Sequence, residues 1–357
     1  MRSIPPDGGR AKLITTYISL TEEKMKKTIA LFLIAVTALM SFALVGCKDD
    51  GDGHVKIRLS EVTHSIFYAP LYVAINNGYF EEYGMEIELS NGGGADKVMT
   101  AITSKSADIG LMGPEATIYC QAQGQKDYPI IFGQLTQKDG SFLVSKTPQP
   151  DFEWSMLKGK HVLAGRVGGV PAMTMQYVVN NAGLDEETDL NFNTDVAFNM
   201  MAPVFESDDT VDYTTLFEPT ASEFEASGKG YIVASVGEAS GEIPYTSFSA
   251  SKSFIEENTE LIKNFLRAVK KGYDYIKDNT AEKVAESLEP SFAGTSLSSI
   301  AASVTSYLEI DAWCDDLVFT EQSYIKLQDV MENAGFLETR VTYTAAVDNT
   351  YALAIAQ

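Results

Sequence analysis

Two stretches of this chain repeat one rhythm, a short run of branched side chains, a turn, then a run with helical spacing, and no other feature constrains the fold as much. Val55 to Leu59 reads as a strand, and the loop Ser60 to Tyr68 leads into Ala69-Pro70-Leu71-Tyr72-Val73-Ala74-Ile75. Pro70 suits a first helical turn, where its missing N–H would have no partner, and Asn77-Gly78 supplies the stop. A strand Met85 to Leu89, a loop Asn91 to Gly94, a helix Ala95 to Thr103, a strand Ala107 to Met112, a helix start at Gly113-Pro114-Glu115 and a strand Tyr128 to Leu135 complete the first block. The second block reads as strand His161 to Gly165, loop Arg166 to Val170, helix Pro171 to Asn180, strand Leu190 to Thr194, helix Ala197 to Phe205 and strand Thr210 to Thr215, with Phe217-Glu218-Pro219 opening another helix. Strands that alternate with helices in this way form a parallel sheet with helices on its faces. The blocks echo each other: Ala107-Asp108 with Pro114-Glu115 in one, Val211-Asp212 with Glu218-Pro219 in the other.

About 300 residues follow residue 54, more than the ~100–200 that one core usually holds, so two lobes are expected. After a strand at Tyr231 to Val236 comes an extended segment, Pro244 to Ala250, and then a helical stripe of Ile262, Phe265, Leu266, Val269 and Tyr273. Packing of those helices on the first lobe makes that lobe discontinuous, 55–140 plus 247–357, around a second lobe of 141–246. The chain then crosses twice, near Gln137 to Ser145 and near Pro244 to Ala250, which makes a hinge. The expected class is α/β, two lobes, each a mainly parallel sheet flanked by helices.

The N-terminus speaks for an export route. Lys24, Lys26 and Lys27 precede an apolar run from Thr28 to Val45, and Leu44-Val45-Gly46-Cys47 resembles a lipobox. A permanent span needs ~20 apolar residues, and this run has about 18 with a small-residue exit. The expectation is a signal peptide over 1–46, with residues 1–24 an over-long start before Met25, then lipidation of Cys47 and a tether over 47–54. That places the body outside the cytoplasm, anchored to the bacterial cell membrane by lipid. Only Cys120 and Cys314 remain, whose pairing is open, and too few cysteines for a metal cluster. A formal charge of −22 argues against nucleic acid as a partner.

Several motifs carry a family resemblance. Tyr68-Ala69-Pro70-Leu71-Tyr72-Val73-Ala74 with Asn77-Gly78-Tyr79-Phe80, then Tyr83-Gly84-Met85-Glu86-Ile87, Gly93-Gly94-Ala95 and Ser106-Ala107-Asp108-Ile109-Gly110, resemble solute-binding proteins of the sulfonate, nitrate and thiamine-pyrimidine group of ABC importers. Leu157-Lys158-Gly159-Lys160 and Gly168-Gly169-Val170-Pro171 resemble the entry to that family's second lobe. The resemblance covers residues 55 to about 345. It implies a type II periplasmic-binding fold, a small-molecule solute, closure on it and delivery to a permease with its ATPase; the sequence, which carries no catalytic or zinc-type motif, is further expected to act as a monomer with no cofactor and no catalysis.

In open α/β sheets ligands sit beyond the carboxyl ends of the strands. The candidate ligand residues are therefore Glu61, His64 and Phe67 in the first loop, Gly93 and Gly94 in the second, Glu115 in the third, Gly168 and Gly169 across the hinge with Arg166 as the nearest cation, Glu218 at the matching turn, and Tyr245 in the crossover. Each has a plainer role to weigh: glycines for turn dihedrals, Glu115 for the helix dipole, aromatics for the core, His64 for a backbone bond. Three carboxylates and flanking aromatics favour a planar nitrogen heterocycle, akin to a thiamine precursor. A sulfonate such as taurine, or nitrate, is the alternative and would put the weight on Arg166 and the glycines. Two rivals from other classes are a ligand-sensing lipoprotein and an enzyme like the family's pyrimidine synthase, whose cysteine-rich motif this chain lacks.

Overall fold

The computed structural model describes residues 53–356; the leader, the candidate lipidation residue Cys47 and the tether to residue 52 lie outside them. Ten strands form two five-stranded sheets. The first is ordered β2-β1-β3-β10-β4, from β1 (Val55–Glu61), β2 (Met85–Asn91), β3 (Ile109–Met112), β4 (Pro129–Thr136) and β10 (Thr246–Ser251). The second is ordered β7-β6-β8-β5-β9, from β5 (Ser141–Ser145), β6 (His161–Leu163), β7 (Asn191–Asn193), β8 (Tyr213–Phe217) and β9 (Tyr231–Ser235). The two orders have the same plan. In each, one strand runs against its neighbours: β10 is antiparallel to β3 and β4, and β5 to β8 and β9.

Those two strands correct the expected crossovers. Ser141 to Ser145, placed in a linker by sequence, is buried strand β5, and Thr246 to Ser251 is strand β10. The chain passes between the sheets through 137–140 and 236–245. Smaller differences sit at element ends: the strand near 210 runs Tyr213–Phe217, the strand at 161 stops at Leu163, and the helix near 197 begins as a 3-10 turn, Phe198–Met200.

The echoed Asp residues do one job twice. Asp108 Oδ2 accepts the Arg58 N–H at 2.9 Å, and the Asp108 N–H returns a 2.8 Å bond to the Arg58 carbonyl. Asp212 Oδ2 accepts the His161 N–H at 2.9 Å, and its N–H bonds the His161 carbonyl at 2.9 Å. Each Asp fixes the entry of a central strand against its parallel neighbour, so the weak sequence echo reflects a repeated construction.

The helices that shape the site are α1 (Ala69–Asn76), α2 (Ala95–Thr103), α3 (Glu115–Ala122), α4 (Val170–Asn181), α5 (Thr220–Ala226), α6 (Thr259–Asp278), α7 (Leu297–Glu309) and α8 (Glu321–Asn333). The stripe Ile262, Phe265, Leu266, Val269 and Tyr273 of α6 is buried, packed with α1 in the largest core cluster. Around the crossings, the Trp313 indole N–H donates to the Phe67 carbonyl at 2.9 Å, and Ser65 Oγ donates to the Glu218 carbonyl at 2.6 Å. Cys120 and Cys314 are buried free thiols.

Candidate functional site

The carboxyl ends of both sheets face a narrow cleft that opens to solvent. The first sheet contributes Val62 and Thr63 after β1, Gly94 and Ala95 opening α2, and Gly113 and Glu115 opening α3. The second contributes Arg166 and Gly169 to Pro171 before and into α4, with Phe198 and Phe217. Tyr68, Tyr245 and Thr246 complete the wall, which is mostly apolar and aromatic. Few polar groups are therefore available to orient a solute, and each weighs more for being surrounded by low-dielectric walls.

Glu115 is the foremost of these. It is 2% exposed, and its Oε2 has no hydrogen-bond partner. The side chain folds back over Gly113, where a Cβ would come within 2.0 Å of Oε2, so only glycine admits this pose. Burial raises the carboxyl to about 7, against the pull of the Arg166 charge and of nearby N–H groups that include Val170 in the opposite lobe. A carboxyl at that balance can accept a hydrogen bond as the anion or donate one as the acid.

Arg166 approaches from the second lobe. Its Nε stands 3.6 Å from Asp96 Oδ1 on α2, and its Nη1 donates to the Val167 carbonyl at 3.2 Å. Beside it the Tyr119 hydroxyl of α3 donates to the Gly168 carbonyl at 3.0 Å, a second tie between the lobes. Gly93 and Gly168, both with left-handed backbone at φ +72° and +69°, turn the chain just outside the wall that Gly94 and Gly169 line.

His64 and Glu218 line an adjoining compartment that shares Thr63, Phe198 and Phe217 with the first. Glu61 is buried behind them: Oε1 meets His64 Nδ1 at 3.0 Å and Oε2 accepts the Tyr72 hydroxyl at 2.5 Å. His64 Nε2 reaches the Ser291 carbonyl at 2.7 Å. With two acceptors the imidazole is favoured as the cation, and the Glu61 bond raises its pKa, helped by Ser291 and opposed by burial. Neither ring nitrogen is left over for a solute. Glu218 likewise serves its own helix, Oε2 accepting the Ser222 N–H at 2.9 Å and Oε1 the Ser222 hydroxyl at 2.6 Å. Phe67, 1% exposed, lies in an aromatic cluster with Tyr68, Phe217, Tyr245 and Tyr307, behind the wall rather than in it.

The structure thus gathers Gly94, Glu115, Gly169 and Tyr245 with Arg166 in one cleft, puts His64 and Glu218 in its neighbour, and leaves Glu61, Phe67, Gly93 and Gly168 in support. Sequence reasoning missed Phe198 and Asp139. Asp139, in the first crossing, accepts the Ser141 N–H at 2.7 Å; burial raises it to about 7. It lies against the Tyr245 hydroxyl, short of a well-formed bond, and Tyr245 Oη and Asp139 Oδ2 both stay unpaired. Its only sequence signal was an acid beside Gly140 within a predicted hinge. Among the described residues no three metal-ligating side chains cluster.

Residues 66–283 match the family model described as NMT1/THI5 like. YtlA of Bacillus subtilis (strain 168), named as a binding protein, is 38% identical over 317 residues, 89% of this chain and 94% of that one. A more distant likeness, 25% identity over 222 residues, 59% of this chain and 63% of the other, joins it to the 4-amino-5-hydroxymethyl-2-methylpyrimidine phosphate synthase of Aspergillus parasiticus. The solved alkanesulfonate-binding protein SsuA of Xanthomonas axonopodis pv. citri, bound to MOPS, matches with a TM-score of 0.65 over 82% of this chain and 98% of that one, at 16% identity. That likeness supports the two-lobe periplasmic-binding-protein fold.

Proposed function

Because the chain belongs to the NMT1/THI5-like family, we propose that it is the extracytoplasmic solute-binding component of an ABC importer, capturing a small molecule between its lobes and presenting it to a permease and, through that, to an ATPase. The observation that carries this reading is the cleft itself, walled by post-strand loops of both sheets and spanned by only two short crossings. A solute that touches both walls favours the closed arrangement by its differential affinity, and the closed surface is what a permease can recognise. The buried acid and the aromatic walls favour a planar nitrogen heterocycle over a sulfonate or nitrate.

A lipid on Cys47 would hold this monomeric body at the membrane; no helix of the described residues is long and apolar enough to cross one. The distant synthase likeness raises catalysis as a second reading. Against it, burial pushes both thiols, Cys120 and Cys314, above their ordinary range, and both His64 nitrogens are engaged. The test is thermal unfolding of the chain from residue 48 against sulfonates, nitrate, thiamine precursors, flavins and related heterocycles. A solute at one hundred times its Kd adds about 2.7 kcal/mol. A heterocycle that raises Tm in the wild type but not in Gly169→Arg supports the cleft; no shift from any class counts against it.

A further inference from the structure

We propose that the solute presents a planar cationic N–H edge, an amidinium or guanidinium, to Glu115, in competition with the Arg166 charge that lines the same cleft. This rests on the reading of the cleft as the solute site and narrows the chemistry of what enters it.

The cleft already lies against one guanidinium, and holds it loosely. Arg166 reaches over from the loop after β6, yet its pair with Asp96 spans 3.6 Å between side chains 37% and 57% exposed. So exposed and so long a pair contributes little. Its one hydrogen bond, to Val167, is local. The side chain can therefore swing out to solvent at little cost.

The acid in the wall is free for a donor. Glu115 lines the cleft, is 2% exposed, and its Oε2 has no partner. An unpaired buried acceptor carries a desolvation cost, which a donating solute recovers. Two parallel N–H groups match a carboxylate as a bidentate pair, stronger and more directional than a single bond. Tyr68, Phe198 and Phe217 line the remaining wall with ring surface, which suits a flat apolar body and attracts a cation. An anion would instead meet Glu115, with Arg166 as its sole opposite charge among the described wall residues and already drawn to Asp96.

Benzamidine and benzoate share one flat ring and carry opposite charge, so they separate the alternatives by calorimetric titration. Benzamidine is expected to bind the wild type, at least tenfold tighter to Arg166→Ala, and at least tenfold weaker to Glu115→Gln, with Arg166→Lys intermediate. Unfolding curves confirm that each variant folds. Tighter benzoate binding that is lost in Arg166→Ala overturns the proposal while leaving the cleft as the solute site. Unchanged or weaker benzamidine binding by Arg166→Ala overturns it too. If neither probe binds, the proposal falls; a hit from the solute panel in the same protein would then keep the transport reading standing.

Discussion

The Tyr307 hydroxyl accepts the backbone N–H of Glu218 at 3.0 Å, and it donates to the Gly140 carbonyl at 3.1 Å. One side chain on α7 thereby ties the end of β8 to the first crossing. Tyr307→Phe strands both backbone groups in a buried setting, at a cost of about 1–3 kcal/mol. In a body of this size that lowers Tm by roughly 2–4 °C per kcal/mol, measurable by calorimetry. A variant that melts with the wild type would show that the crossing does not need the hydroxyl.

The buried acids make stability depend on pH in a stated direction. Glu115 and Asp139 sit near 7 in the folded protein against ordinary values of 4.5 and 3.8. The native state then binds more protons than the unfolded chain between those limits, so their contribution is present below the ordinary values and lost as pH rises through about 7. His64, raised by Glu61, adds in the same sense above its ordinary 6.5. Tm should fall from pH 5 to pH 8, and Asp139→Asn should flatten the slope and raise Tm at pH 8. A Tm that climbs over this range contradicts the assignment.

A cationic solute would hold Glu115 ionised and so expel its proton. Benzamidine affinity should rise as pH rises through about 7, and the slope should vanish in Glu115→Gln. Titrations at pH 5.5 and 8.5 suffice; equal affinity at both would separate Glu115 from the solute.

Gly113→Ala would place a Cβ 2.0 Å from Glu115 Oε2 and drive the carboxyl from its pose. Solute binding should weaken at least tenfold, more than melting changes. Glu218→Ala should do the reverse, losing the bonds to Ser222 for about 0.5–2 kcal/mol with little change in affinity. If Glu218→Ala abolishes binding in a folded protein, the adjoining compartment belongs to the solute site.

Lipidation is checked by metabolic labelling with an alkyne fatty acid. Wild type should incorporate label and fractionate with membranes, and Cys47→Ser should do neither. Labelled Cys47→Ser would move the anchor elsewhere.

Much of the fold was legible because strand and helix periodicities differ and the glycine and proline punctuation agrees with both. The α6 stripe and the Asp108 and Asp212 echo correspond to buried and hydrogen-bonded positions. The strand Ser141–Ser145 was not, since a buried run of five offers no alternation and lies beside a turn. Post-strand loops located the cleft, but which loop residue faces in depends on the pose of each side chain. Sequence could not tell Glu61, spent on Tyr72 and His64, from Glu115, which keeps an oxygen unpaired. Phe67 was a candidate by its loop position, yet four aromatic neighbours, three of them distant in sequence, help bury it.

β10 lies between β3 and β4, so β4 joins the first sheet only through a strand more than one hundred residues downstream. All five strands of the second sheet fall within 141–235 and can pair once that stretch is available. As the chain is synthesised from its N-terminus, the lobe that starts first is completed last, and until residue 251 has emerged β4 waits without its neighbour.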